Sequence, residues 1–287
     1  MKITRALLGF VLLFLAFAAQ AQREPGQIIQ ELQKLAWQRG PAEGAIASKA
    51  KIQIPNGFVF LDERDTRRFL ELMGNPPRDG HYMIAPANLD WFAVFSFDPV
   101  GYVKDDEKID ADALLKSLQE GDGPGNEERK RLGMAPIYTD GWHVPPHYDS
   151  GSKRLEWGMR LRDEKGGMHV NYTSRLLGRT GVMSAVLVSS PQTLNSDMKE
   201  FNAALAGYQF VAGEQYAEFK SGDRIAEYGL GALVLGGAAA AAAKAGLFKS
   251  LGKFLWVIFG GAAMGGWALL KKLFARKETP PPGPGQQ

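Results

Sequence analysis

The stretch "KRLEWGMRLRDEKGGMHVNYTSRLLGRTGVMSAVLVSS", Lys153 to Ser190, decides the fold class. It contains three runs rich in β-branched, aromatic and long apolar residues: "KRLEWGMRLRD", "MHVNYTSRLLG" and "GVMSAVLVSS". Glycine-bearing turns separate them, so they predict strands of an antiparallel meander. Upstream, "HYMIAPA" and "WFAVFSFDPVGYV" predict further strands, the second alternating through Trp91, Ala93, Phe95 and Phe97. Pro55-Asn56-Gly57 in "KIQIPNGFVFL" predicts a strand, a tight turn and another strand.

Helical spacing appears in three places. Ile28, Ile29, Leu32, Leu35 and Ala36 form an apolar stripe that stops at Gly40-Pro41. "DERDTRRFLELM" predicts a helix from about Asp65 with Phe69, Leu70, Leu72 and Met73 inward. "PQTLNSDMKEFNAAL" carries Leu194, Met198, Phe201 and Leu205 at the same period. The expected class is α+β: a mainly antiparallel sheet with flanking helices on one face, plus a C-terminal transmembrane helix. A strand-to-helix unit is reused. Gly57-Phe58-Val59 matches Gly101-Tyr102-Val103, and Asp62-Glu63-Arg64 matches Asp106-Glu107-Lys108. "GYQF" at Gly207 is a fainter third echo. The irregular spacing excludes a solenoid.

The ends of the chain speak to location. Lys2 and Arg5, an apolar run from Ala6 to Ala19, and Ala19-Gln20-Ala21 have the layout of a cleaved secretory signal. Near the other end, "FLWVIFGGAAMGGWALL" (Phe254 to Leu270) reaches the length of a membrane span, and Lys271, Lys272, Arg276 and Lys277 follow it. "YGLGALVLGGAAAAAA" (Tyr228 to Ala243) is a weaker apolar stretch, open to reading as a second span. The basic tail favours one span with the main domain outside the cytoplasm. The expected organisation is a signal peptide (1–21), an N-terminal helix and linker (22–50), an exported α+β domain (51–224), a Gly/Ala-rich helix (225–250), a transmembrane helix (251–275) and a disordered tail (276–287). Gly261 and Gly265 supply a G-x-x-x-G spacing for self-association in lipid. A net charge of +3 does not argue for nucleic acid, and zero cysteines exclude thiol chemistry and Cys-based zinc sites.

The densest polar-aromatic stretch is "GWHVPPHYDSGSKRLEWG", Gly141 to Gly158. His143 and His147 have H-x-x-x-H spacing, but Pro145-Pro146 forbids the helix that would put both imidazoles on one face. The stretch therefore reads as a rigid surface loop, with Asp149-Ser150-Gly151-Ser152 a turn and Glu156-Trp157 entering the meander. A zinc site from His143, His147, His81 or His169 with Asp149 or Glu156 stays open but lacks a ligand motif. The acidic run Asp105, Asp106, Glu107, Asp110 and Asp112 lacks calcium-loop spacing; Asp110 reads as a helix N-cap. "GDGPGNEERK" has no P-loop lysine and reads as a linker.

Together, "GYVKDDEKIDADALL", "GWHVPPHYDSGSKRLEWG", "VNYTSRLLGRTGVM" and "GYQFVAGEQYAEFKSGDRIAEYGLGALVLGG" resemble, in order and spacing, the bacterial membrane-anchored family known as domain of unknown function 2167. The resemblance runs from about Lys51 to Phe248. It implies an exported, membrane-attached protein and carries no catalytic residues. The matching positions are Asp106, Trp142, Pro146, Tyr148, Trp157, Asn171, Tyr172, Gly178 and Arg179.

The resulting expectation is a non-enzymatic binding or interaction module of the bacterial envelope, held in the inner membrane with its main domain in the periplasm. Its binding residues would be Trp142, His143, His147, Tyr148, Asp149, Trp157, Asn171 and Arg179, with no metal and no cofactor. The partners would be the inner membrane and an envelope protein. The alternative is a hydrolase or metal-dependent enzyme centred on Gly141–Trp157, drawing Asn171 and Arg175 or Arg179 from the next strand. Convergence of three of His143, His147, Asp149, Glu156 and His169 would favour that alternative.

Overall fold

Along β8 (Arg154–Asp163), Leu155, Trp157, Met159 and Leu161 are buried while Glu156, Arg160 and Arg162 are not, the two-residue period of a strand. The computed structural model describes residues 25–73, 75, 77–131 and 135–236. In it β8, β9 (Met168–Leu177) and β10 (Val182–Ser189) form the expected antiparallel meander. β10 pairs on its far side with β6 (Phe92–Asp98), then come β5 (His81–Pro86), β4 (Phe58–Leu61) and β1 (Gln38–Arg39). β7 (Ile137–Asp149) closes the other edge, completing eight strands that are antiparallel throughout. A second sheet of three strands contains β2 (Ala42–Ile46), β3 (Ala50–Ile54) and β11 (Tyr208–Phe210). The turn at Pro55-Asn56-Gly57 thus carries the chain between sheets rather than closing a hairpin, and Gly57 supplies its positive φ of 82°.

The chain divides into two units, residues 1–35 and 36–287. The described part of the first is helix α1 (Pro25–Gln33). Residues 38–46, expected as linker, form β1 and β2 of the second unit. Helices lie on both faces of the large sheet, not on one as expected. Both faces are apolar along the central strands, so each needs cover. On one face α4 (Leu194–Leu205) sets Phe201 against Trp91 and Tyr172 at centroid distances of 6.1 and 6.3 Å. On the other, α2 (Glu63–Leu72) brings Phe69 to 5.2 Å from Phe92. Its start lies two residues before Asp65 because the Asp62 side chain caps the Asp65 amide at 2.9 Å.

That second face also holds a core of Leu114, Leu118, Leu155, Trp157, Leu177 and Leu230, supplied in part by α3 (Ala111–Arg131) and α5 (Leu230–Val234). The "GDGPGNEERK" stretch is not a linker but the second half of α3, despite Pro124 inside it. Tertiary bonds override the local breaker signal. The Asp122 carboxylate accepts from the Thr139 amide at 2.7 Å, and the Asn126 side chain both accepts from and donates to the Ile137 backbone at 2.9 Å. Among the described residues no helix is long and apolar enough to cross a membrane. The expected signal (1–21), membrane helix (251–275) and tail (276–287) lie outside the described residues.

The helical reading of this stretch is directly testable. A Cβ added at Gly125 meets nothing within 4 Å, so Gly125→Ala should raise stability by about 0.5–1 kcal/mol, as for a helical glycine with open space around it. Asn126→Ala should lower it by about 1–3 kcal/mol by stranding the Ile137 backbone groups. Urea unfolding of both variants checks this; a destabilising Gly125→Ala would point to a loop.

Candidate functional site

The Gly141–Gly158 stretch is the edge strand β7, its turn and the start of β8, not a surface loop. Register shifts between Trp142 and Val144 and between Val144 and His147 accommodate Pro145-Pro146. An edge strand tolerates prolines because one row of its amides needs no ladder partner. Gly158 lies opposite Val144, and a Cβ there would press to 3.2 Å from the Val144 amide, so the glycine admits the bulged strand.

Alternation then sorts the candidate residues between faces. Trp142 and Tyr148 turn onto the Leu155–Trp157 core, where the Trp142 Nε1 donates to Ala111 O at 3.0 Å and the Tyr148 hydroxyl to Asp105 at 2.8 Å. Trp157 is itself core, 5% exposed. Burial, then the Asp105 bond, pushes the Tyr148 hydroxyl pKa up. Asp149 closes its turn by accepting from Ser152 Oγ at 2.6 Å and the Gly151 amide at 2.9 Å; those bonds hold its pKa low. Asn171 is buried on β9.

His143 and His147 point to the opposite face. The His143 Nε2 pairs with Asn195 Oδ1 at 3.2 Å, and the His147 Nε2 lies 3.8 Å from Glu156. Glu156 is already held by Arg154 at 2.5 Å and Ser174 Oγ at 2.8 Å. His169 pairs with Asp163 at 3.1 Å near the other end of the strands. Only His147 and Glu156 of the proposed catalytic set approach each other. Among the described residues no group of three His, Cys, Asp or Glu could hold a metal.

Arg179 grips the loop after β11. It forms two 2.7 Å bonds to Asp223, while the Arg179 amide donates to Glu214 O at 2.8 Å. The guanidinium, with the Lys220 amide, holds the Asp223 carboxyl down to about 2. This clamp sets the course of the chain that brings Tyr228 to the α5 side of the sheet.

Of the five buried side-chain groups without a hydrogen-bond partner among the described residues, His169 Nδ1 and the Tyr208 hydroxyl stand apart, and three belong to another part of the sheet. Arg175, adjacent in sequence to Ser174, faces the opposite side of β9 from Glu156. Its row of cross-strand partners runs Leu155, Arg175, Ser184, Ser96 and His81 on β8, β9, β10, β6 and β5. Asp98 stands two residues from Ser96 on the same face, and Tyr228 approaches from the segment before α5. The Arg175 Nε, the Ser184 Oγ and the Tyr228 hydroxyl are each buried with no hydrogen-bond partner. Ser184 is 2% exposed, whereas Arg175, Ser96, Asp98 and His81 are half-buried.

Electrostatics mark the same place. Burial lowers the pKa of Arg175, with Asp98 and Tyr228 acting against it. Burial raises Asp98 despite the attraction of Arg175, and pushes Tyr228 up to about 12. Burial also lowers His81, whose Nδ1 contacts Asp79 O at 2.9 Å. A depression between α3 and β7–β8 is lined by Leu118, Asp122, Asn126, Arg129 and Met159. There Asp122, Asn126 and Arg129 all bond to the neighbouring backbone, so that depression is internally satisfied. The Arg175 row is not.

The family model described as "Protein of unknown function (DUF2167)" matches residues 38–265. The chain belongs to the DUF2167 family. No curated protein matches it. Among solved structures, the solution structure of cyanobacterial PsbP (CyanoP) from Synechocystis sp. PCC 6803 is similar at 10% identity and a TM-score of 0.35, over 59% of this chain and 91% of that one.

In this DUF2167 chain most matched motif positions have architectural duties: Trp142, Tyr148 and Trp157 pack, Tyr172 meets Phe201, and Arg179 clamps a loop. Sequence reasoning reached Arg175 only as a companion to the Gly141–Trp157 stretch, whose His147 and Glu156 lie on the opposite face. It missed Ser184, Ser96, Asp98 and Tyr228. The available signal was a lone arginine inside the apolar run "NYTSRLL", with "MSAV" and "FSFD" each holding a serine.

The clamp makes a pH prediction. The Asp223 pKa is depressed on folding, so its contribution to stability is present above the ordinary carboxylate pKa and fades as pH falls towards about 2. Arg179→Ala should raise the Asp223 pKa part of the way towards the ordinary aspartate value of about 3.9, because the Lys220 amide still donates to it at 2.7 Å. A carboxyl-carbon NMR titration reads it directly; an unchanged pKa would dismiss the clamp.

Proposed function

We propose that this DUF2167 chain is a membrane-anchored binding module of the bacterial envelope, with its α+β body in the periplasm. One observation carries the binding part: Arg175, Ser184 and Tyr228 keep polar groups buried and unpartnered in one place. Native proteins satisfy almost all such groups with protein or ordered water, so a cluster of exceptions beside a guanidinium is a place where a polar ligand fits. The location rests on sequence: Lys2, Arg5 and the Ala6–Ala19 run at one end, Phe254–Leu270 with its basic flank at the other. Gly261 and Gly265 offer self-association within the membrane.

Native mass spectrometry of the full chain, released gently from its own membranes, tests the reading. The expected result is a non-covalent small-molecule adduct on the wild type that is lost in Arg175→Met. Identical bare masses for both proteins would overturn it. Protease protection in spheroplasts tests the location, with digestion of the body from the periplasmic side expected and full protection contrary.

A further inference from the structure

The strongest unexplained feature is the Arg175 row. A guanidinium has five N–H donors and no acceptor, and its planar fork matches carboxylate and phosphate oxygens. Among the described residues it has no ion pair; the nearby Asp98 attracts it without bonding to it. Next to it on the ladder is the Ser184 hydroxyl, and close by is that of Tyr228, both able to donate and both without a partner. Ser96 adds a third hydroxyl one strand further on, about 4.8 Å away by strand spacing. Three hydroxyls and one guanidinium form a set of donors looking for acceptors.

Asp98 restricts the charge of the occupant. Its carboxyl stands on the same face two residues from Ser96, and it would repel a second full negative charge brought beside Arg175. A singly charged group meets about half the repulsion that a dianion would, and still satisfies the arginine. His81, at the far end of the row, sits with Arg78, Glu63 and Asp79 around it, so that end is already polar.

We propose that the row formed by Arg175, Ser184, Ser96 and Tyr228 is a binding site for a singly charged oxyanion, either a carboxylate or a phosphodiester. This rests on the binding-module reading and names the chemistry of its ligand. Arg175 holds two oxygens of the anion, Ser184 and Tyr228 donate to it from the buried side, and Asp98 excludes dianions. A carboxylate would come from a soluble small molecule, whereas a phosphodiester is the headgroup linkage of a membrane lipid. The residues fit both.

The test uses the purified full chain in detergent, with thermal unfolding and calorimetry at matched ionic strength. The probes are acetate, dimethyl phosphate, dihexanoyl phosphatidylglycerol and sulfate, each on the wild type, Arg175→Met, Arg175→Lys and Ser184→Ala. Acetate, or the two phosphodiesters, should bind the wild type with one site per chain and raise its Tm more than sulfate does. Affinity should fall about tenfold or more in Arg175→Met, the loss expected of a charged hydrogen bond. Arg175→Lys should fall between, and Ser184→Ala should weaken binding without abolishing it, which keeps the test usable if Arg175→Met does not fold. A response to acetate alone assigns a soluble ligand, and one to the phosphodiesters alone assigns a lipid headgroup. Equal shifts in wild type and Arg175 variants, or the tightest binding to sulfate, would overturn the proposal. A native adduct that no monoanion displaces would overturn the oxyanion chemistry while leaving the binding module standing.

Discussion

In an antiparallel ladder, the pairing of one strand with the next determines which side chains share a face, and a slip of one residue exchanges the faces. The pairing of β9 with β10 and of β10 with β6 sets Arg175 opposite Ser184 and Ser184 opposite Ser96. The same pairing sets Ser174, Ala185 and Phe95 together on the reverse face, where Phe95 stacks on Tyr208 at 6.2 Å and Ser174 bonds to Glu156. A one-residue slip of β9 would put the Arg175 guanidinium in place of Ser174, and one of β6 would take Phe95 off Tyr208. The register is therefore held by the apolar face, and the polar row is its consequence on the other. The rest of the body is arranged around this: α4 covers one side, while α2, α3 and α5 cover the other.

Loop clamps finish the work that register begins. Arg179 with Asp223, and the bridge between Tyr102 and Ile225, route the chain after β11 back to the sheet. The Glu107 carboxylate then accepts from the Gly231 amide at 3.0 Å, fixing the start of α5. Tyr228 lies between these two anchors. Its buried hydroxyl thus reaches the Arg175 face through contacts made by residues that mark the family, which accounts for their role without giving them chemistry.

The meander β8–β10 was legible in the sequence because its strands are bounded by glycine turns, and α4 because its apolar period is clean. The second half of α3 was not, since Gly-Asp-Gly-Pro-Gly carries every local breaker signal and the overriding bonds come from Thr139 and Ile137, which only the folded sheet brings near. β7 was read as a loop for a similar reason: prolines argue against a central strand but are compatible with an edge, and edge position is a tertiary fact. The site was the least legible part. "GWHVPPHYDSGSKRLEWG" attracts attention by composition, yet most of its aromatic and acidic groups are satisfied within the fold. Arg175, Ser184, Ser96 and Asp98 sit on three strands, and nothing in their local spacing announces that they are neighbours.

The central claim is that Arg175 is held for an external anion and not for the fold. A buried charge that lacks its partner costs stability, and an apolar residue of similar volume removes that cost. Equilibrium urea unfolding of the wild type and Arg175→Met in anion-poor buffer measures it. The account predicts that the methionine variant is at least as stable as the wild type. A variant destabilised by several kcal/mol would show that the arginine serves the fold, and would contradict the account.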